Sequence, residues 1–130
     1  MAGLTNYAED LVLDWLFTTG SATRPTSWYV GLYTVAPSEA GGGTEVSGGS
    51  YARVSATFTV SGTAPTTASN SVAVEFAEAT GNWGTIVAAG IFDASTSGNL
   101  IAFASLTTSK SIDTGDVLRF NIGALDITLD

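Results

Sequence analysis

Carboxylates are the only reactive side chains this sequence holds in any number. Twelve Asp and Glu stand against four Lys and Arg, with no His and no Cys among 130 residues. Without imidazole or thiol, the chain has no histidine general base, thiolate nucleophile, disulfide, Cys/His zinc site or iron–sulfur cluster. A glycosidase needs only two acids at a set separation, and two pairs come close in sequence: Glu75 with Glu78, around Phe76, and Asp113 with Asp116, around Thr114-Gly115. Glu75 falls on the outward side of a strand pattern. Asp-Thr-Gly-Asp fits a turn in which Asp side chains accept from nearby backbone amides. Asp-Thr-Gly is also the aspartic-protease triplet, but that chemistry needs two such loops and the chain has one. No catalytic residue is assigned, and the protein is expected not to be an enzyme.

Other chemistries have partial signatures. Asp93-Ala94-Ser95-Thr96-Ser97-Gly98-Asn99 places Asp, Ser, Ser and Gly at the first, third, fifth and sixth positions of a calcium loop, but the twelfth, which should be a bidentate Glu, is Ala104. A turn between two strands explains it better. Gly41-Gly42-Gly43 has no Lys and precedes no helix, so it does not read as a phosphate cradle. No metal or cofactor is expected. Three Trp and four Tyr could form a sugar-stacking platform. Trp15 and Trp83 read as core rings, leaving Trp28, Tyr29 and Tyr33 as the aromatics whose side is open.

The charge balance narrows partners. A net charge of −8 and a pI near 4.1 would repel a phosphate backbone, so no nucleic-acid partner is expected. The first residues carry no basic region, and no apolar run approaches the roughly 18 residues of a membrane span, so the chain reads without a secretion signal or membrane anchor. Charged residues are only 12% of the sequence, and 15 Gly with many Thr and Ser supply uncharged surface. With Lys present once and Gln absent, that composition favours strands over long helices.

One domain over 1–130 is expected: a helix at 4–17, then an antiparallel β-sandwich at 27–130. Leu4, Tyr7, Ala8, Leu11, Val12, Trp15 and Leu16 form a helical stripe, with Asn6 and Glu9 as a capping pair and Thr18-Thr19-Gly20 as the stop. Seven strand patterns follow, at 28–35, 53–60, 72–76, 85–92, 100–105, 118–122 and 125–129. Across 53–60, Val54, Ala56, Phe58 and Val60 are assigned inward. Seven or eight strands with no helices between them imply a mainly β, jelly-roll-like antiparallel sandwich carrying one N-terminal amphipathic helix. Residues 36–50, with Gly-Gly-Gly and Gly-Gly, read as a long mobile Gly-rich loop, and 61–71 as a second polar loop.

Candidate interface residues follow from this layout. Leu13 and Phe17 lie off the main helical stripe, four residues apart, and so stack into a second apolar patch that another surface should cover. Arg53 is the candidate to anchor Glu45 of the Gly-rich loop, or a partner's carboxylate.

The ordered elements resemble a family of small tailed-bacteriophage virion proteins, labelled tail-fibre or capsid decoration (cement) proteins. The resemblance covers 4–130. It runs through NYAEDLVLDWLF, PTSWYVGLYTVAP and GTEVSGGSYARVSATF, then NSVAVEFAEATGNWGTIVAAGIFDASTSGNLIAFASL and TGDVLRFNIGALDITLD. It implies a virion component made in the host cytoplasm, with the major capsid protein or other virion proteins, and further copies of itself in a homo-oligomer, as partners. A compact domain without heptads or fibrous repeats suits a cement protein on the head lattice. The alternative is a tail or tail-fibre component that contacts host-surface carbohydrate.

Overall fold

The computed structural model describes residues 3–129. Strand β1 (Gly3–Leu4) leads into helix α1 (Asn6–Phe17), and ten further strands follow: β2 (Trp28–Val35), β3 (Thr44–Glu45), β4 (Val54–Ala56), β5 (Phe58–Ser61), β6 (Thr66–Asn70), β7 (Val74–Glu75), β8 (Gly84–Phe92), β9 (Leu100–Ile112), β10 (Arg119–Phe120) and β11 (Asp126–Leu129). Every strand pairing among the described residues is antiparallel. The mainly β, antiparallel class with one helix near the N-terminus is therefore the one the composition indicated. No helix of the described residues is long and apolar enough to cross a membrane.

The large sheet runs β1-β9-β8-β2-β3, with β4 also on β2. Strand β4 lies along Trp28–Val30 and β3 along Tyr33–Val35, at opposite ends of β2. Between them the chain satisfies β2 without a full strand: the Leu32 amide donates to the Tyr51 hydroxyl at 2.9 Å, and the Val46 amide donates to the Leu32 carbonyl at 2.9 Å. Two small sheets, β10-β7 and β11-β6-β5, complete a sandwich-like arrangement. Val30, Leu32 and Ile86 of the large sheet pack with Val74, Phe76, Trp83, Ile112 and Leu118 in one apolar cluster. Each such side chain taken from water contributes about 1.5–3 kcal/mol, so this cluster is the main stabiliser of the layers.

Several local expectations are corrected. The 53–60 strand is two strands in two sheets, with the chain changing layers at Thr57. Val60 lies beyond that change and is 69% exposed rather than inward. The polar 61–71 segment contains β6, the central strand of the three-stranded sheet. Among its residues only Asn70 is fully buried, so no apolar alternation marks the strand. The Asn70 side chain instead donates to the Val72 and Asn121 carbonyls and accepts from the Leu125 amide. Strand β9 runs to Ile112, well past Ser105. Of the outer apolar positions, Val72, Ile122 and Leu129 are exposed.

The helix begins two residues later than its pattern, because Leu4 pairs with Ala102 in β1 and Thr5 is the N-cap. Thr5, not Asn6, is the N-cap, accepting from the Ala8 amide while its hydroxyl donates to the Leu100 carbonyl at 2.6 Å. The stripe is not sunk into the core: only Ala8 is buried, and Trp15, expected inside, is outside.

Candidate functional site

Two regions gather the side chains that the sequence singled out. The first is built over a pair of glycines facing each other across β2 and β8, Gly31 and Gly90. A Cβ on Gly31 would lie 2.8 Å from both Glu45 Oε2 and the Phe92 ring, and one on Gly90 would lie 2.7 Å from Leu100. The bare backbone is what lets a carboxylate and aromatic rings lie on this side of the sheet.

Glu45 fills that space. Its Oε2 accepts from Arg53 Nε at 2.8 Å and from the Tyr51 hydroxyl at 2.6 Å, while Oε1 accepts from Arg53 Nη2 at 2.7 Å. The remaining Arg53 donor, Nη1, reaches the Ala94 and Ser97 carbonyls at 2.9 and 2.8 Å. The guanidinium carbon sits 3.4 Å from the centre of the Phe92 ring. Arg53 thus joins the Gly-rich loop to the β8–β9 turn in the two-pronged geometry that only a guanidinium offers. Burial alone would push the Glu45 carboxyl up, but the hydrogen bonds from Arg53 and Tyr51 and the Arg53 charge outweigh it and hold it below the ordinary range. The hydrogen bond to Glu45 raises the Arg53 guanidinium further, against the effect of burial. Burial, followed by the hydrogen bond to Glu45, pushes the Tyr51 phenol far up.

The Tyr51 ring continues the region into the core, stacked on Phe76 and edge-on to Trp83 at 5.4 Å between ring centres. Trp83 Nε1 donates to the Gly49 carbonyl at 2.9 Å. The 36–50 segment, expected to be a mobile loop, is therefore tied down by β3, by Glu45 and by the buried side chain of Val46. With its carboxylate accepting three bonds and its guanidinium donating four, this cluster is a structural clasp.

The other candidates are distributed as follows. Tyr33 is only 4% exposed and stacks on Phe92 at 6.2 Å, so it is not available to an interface. Trp28 and Tyr29 are half-buried. The three aromatics therefore do not make the open platform that sugar stacking needs. Glu75 is exposed, 3.4 Å from Arg119, and Glu78 is exposed as well. Asp113 and Asp116 form the expected turn, with the Asp113 amide donating to Asp116 Oδ2 at 2.9 Å. Both Asp93 carboxylate oxygens accept from Asn99, one from its backbone amide and one from its side chain, which closes the β8–β9 turn.

The second region is α1. Leu13 and Phe17 are exposed at 57% and 78%, and Trp15 and Leu16 join them at 67% and 57%. Sequence reasoning identified the first two and put the other two inside, because a helical stripe shows which residues share a side and not how closely that side meets the sheet. A third feature had no signal in the sequence: an open cleft of about 640 Å3 between β9 and the β10–β11 end of the chain, lined by residues that only the fold brings together.

The family described as Podophage GP4 fiber I protein gp80 has a model that matches residues 3–128. The chain belongs to that family. No curated protein matches it. Membership in the gp80 family, which its description labels a fibre protein, makes the chain a bacteriophage virion structural protein, as the resemblance read from the helix, the Gly-rich loop and the strand order implied. In this gp80-family chain the clasp is partly buried, and α1 carries four large exposed apolar side chains.

Proposed function

We propose that this gp80-family chain is a non-enzymatic fibre subunit, built into the particle through the apolar side of α1. The observation that carries the reading is the set of four large apolar side chains, Leu13, Trp15, Leu16 and Phe17, left in solvent on one short helix. Leaving such side chains in water forgoes about 1.5–3 kcal/mol each of available burial, and Leu13, Leu16 and Phe17, which are neighbours on one side of the helix, make contiguous exposed apolar surface of the kind characteristic of interaction sites. The family description supports the fibre as the location. Of the acids that come close in sequence, Glu75 and Glu78 are exposed and Asp113 and Asp116 close a turn, an arrangement suited to holding structure. The partners in this reading are other virion proteins and further copies of the chain.

A second reading has its own support. The described residues form a short-stranded body without a fibrous repeat, which suits a decoration protein seated on the major capsid protein of the head. Electron cryomicroscopy of particles carrying a tagged copy separates the two. Density in the fibre or tail is the expected result, and density repeating over the head lattice replaces the fibre reading with the decoration reading. Absence of the chain from purified particles would sink both.

A further inference from the structure

We propose that the chain assembles head to tail, with α1 of one copy seated in the β9–β10–β11 cleft of the next. The inference deepens the assembly role proposed above and takes its biological setting from it. It rests on two surfaces of the same molecule that match in polarity and charge and share no residue.

The receiving surface is an unfilled place in the sandwich. Strand β9 leaves the regular ladder between the pairs Ala88–Ser105 and Ile86–Lys110, where β8 advances two residues and β9 five. The extra residues of β9 form one wall of the cleft, and β10 and β11 form the other. Phe103, Leu106, Phe120, Leu125 and Ile127 line it and are all half-buried, so apolar surface remains accessible inside. Its volume, about 640 Å3, suits a few large side chains. Its charged lining residues are Lys110, Arg119 and Asp126. Asp126 accepts from the Ser69 hydroxyl, and Arg119 keeps a 3.4 Å contact with Glu75 in which both side chains are more than half exposed. Two bases to one acid is a local reversal on a chain whose acids outnumber its bases twelve to four.

The inserted surface is α1. It presents Leu13, Leu16 and Phe17 on one side, with Trp15 on the side facing Arg24 and Pro25, and its charged residues are Glu9, Asp10 and Asp14 with no base. Two helices meeting side by side in a symmetric dimer would bring these acids together, and like charges across an interface are costly. The helix of one copy against the cleft of another brings acids to Lys110 and Arg119 and fills apolar space with apolar side chains. Because the two surfaces differ, each added copy leaves one helix and one cleft free, so the contact propagates into a ring or an open filament.

The test is the assembly state of the purified full-length protein, measured by light scattering after size exclusion over a range of concentration and salt. Wild type should form species larger than a dimer at high concentration, and raising the salt should shift it toward monomer. Leu13→Ser/Phe17→Ser removes the inserted side chains, and Thr107→Glu/Lys110→Glu makes the cleft acidic. All four positions are exposed, so both variants should fold as wild type does, and each alone should stay monomeric. Mixed in equal amounts they should form a heterodimer and nothing larger, because the first keeps an intact cleft and the second an intact helix. A wild type that is monomeric throughout overturns the proposal, as does a mixture that stays monomeric or a cleft variant that assembles like wild type. If the wild type is monomeric in solution yet present in particles, the virion reading stands and only the head-to-tail contact is removed.

Discussion

The Arg53 clasp and helix α1 treat difficult side chains in opposite ways. In the clasp, an acid and a base are drawn into a partly buried space and all three Arg53 nitrogens and both Glu45 oxygens are engaged: side-chain exposure falls to 8% for Arg53 and 24% for Glu45. On α1, apolar side chains that could have been buried are left in water. A charge in a low-dielectric setting is costly unless it is paired and hydrogen-bonded, so the clasp must be complete within the subunit. An exposed apolar group costs the folded monomer almost nothing relative to the unfolded chain, which exposes it too. The clasp therefore carries subunit stability, while the helix surface is free to serve assembly.

Substitutions in the two regions should separate sharply. The largest effect is expected from Arg53→Ala, which leaves Glu45 without its cation and frees the Ala94 and Ser97 carbonyls. Loss of one partner of a buried pair costs about 3 kcal/mol or more, readable as a lower midpoint in urea denaturation. A change below about 1 kcal/mol would mean that the clasp is no stronger than a surface ion pair.

Gly31→Ala should cost about 2 kcal/mol through overpacking, because the new Cβ meets the Glu45 carboxylate and the Phe92 ring within 2.8 Å. A neutral result in the same denaturation assay would show that the space above Gly31 is looser than the glycine pair suggests.

A smaller, pH-dependent effect follows from Glu45. Its carboxyl is lowered relative to the unfolded chain, where a Glu titrates near about 4.3. The stabilisation is therefore fully present above the unfolded value and is lost as pH falls through the lower folded one. Wild type should lose more stability than Glu45→Gln between about pH 5 and pH 3. Parallel pH profiles for the two proteins would remove Glu45 from the acid response.

The smallest monomer effect should come from Leu13→Ser/Phe17→Ser, within about 0.5 kcal/mol of wild type, as for other exposed positions. A drop of several kcal/mol would place these side chains in the subunit core and erase the contrast between the two regions.

The clasp itself was half legible in the sequence. Arg53 is one of four bases, and Glu45 stands in a loop otherwise made of Gly, Ser and Thr, so their pairing could be expected from scarcity of charge. Tyr51 and Phe92 could not be placed, since neither has a spacing that points to Glu45. Tyr33 was open in the sequence because β2 is apolar on both sides, as a strand covered twice must be. The fold covers it with the Phe92 ring, beside Ala88 and Leu100.

The amino-acid sequence by itself determined the class of the protein. Its Thr, Ser and Gly content and period-two patterns require short antiparallel strands, the 3.6-residue stripe requires one helix, and the absence of His and Cys removes most active-site chemistry. Periodicity is a local property, carried by neighbours a few residues apart, and it survives without knowledge of the fold. The tertiary structure alone decided that the chain changes sheets at Thr57, that 66–70 is a central strand, that Trp15 is outside, and that β9, β10 and β11 enclose a cleft. Those outcomes depend on which surfaces lie opposite one another across many tens of residues, and contact between distant segments leaves no periodic trace in either one.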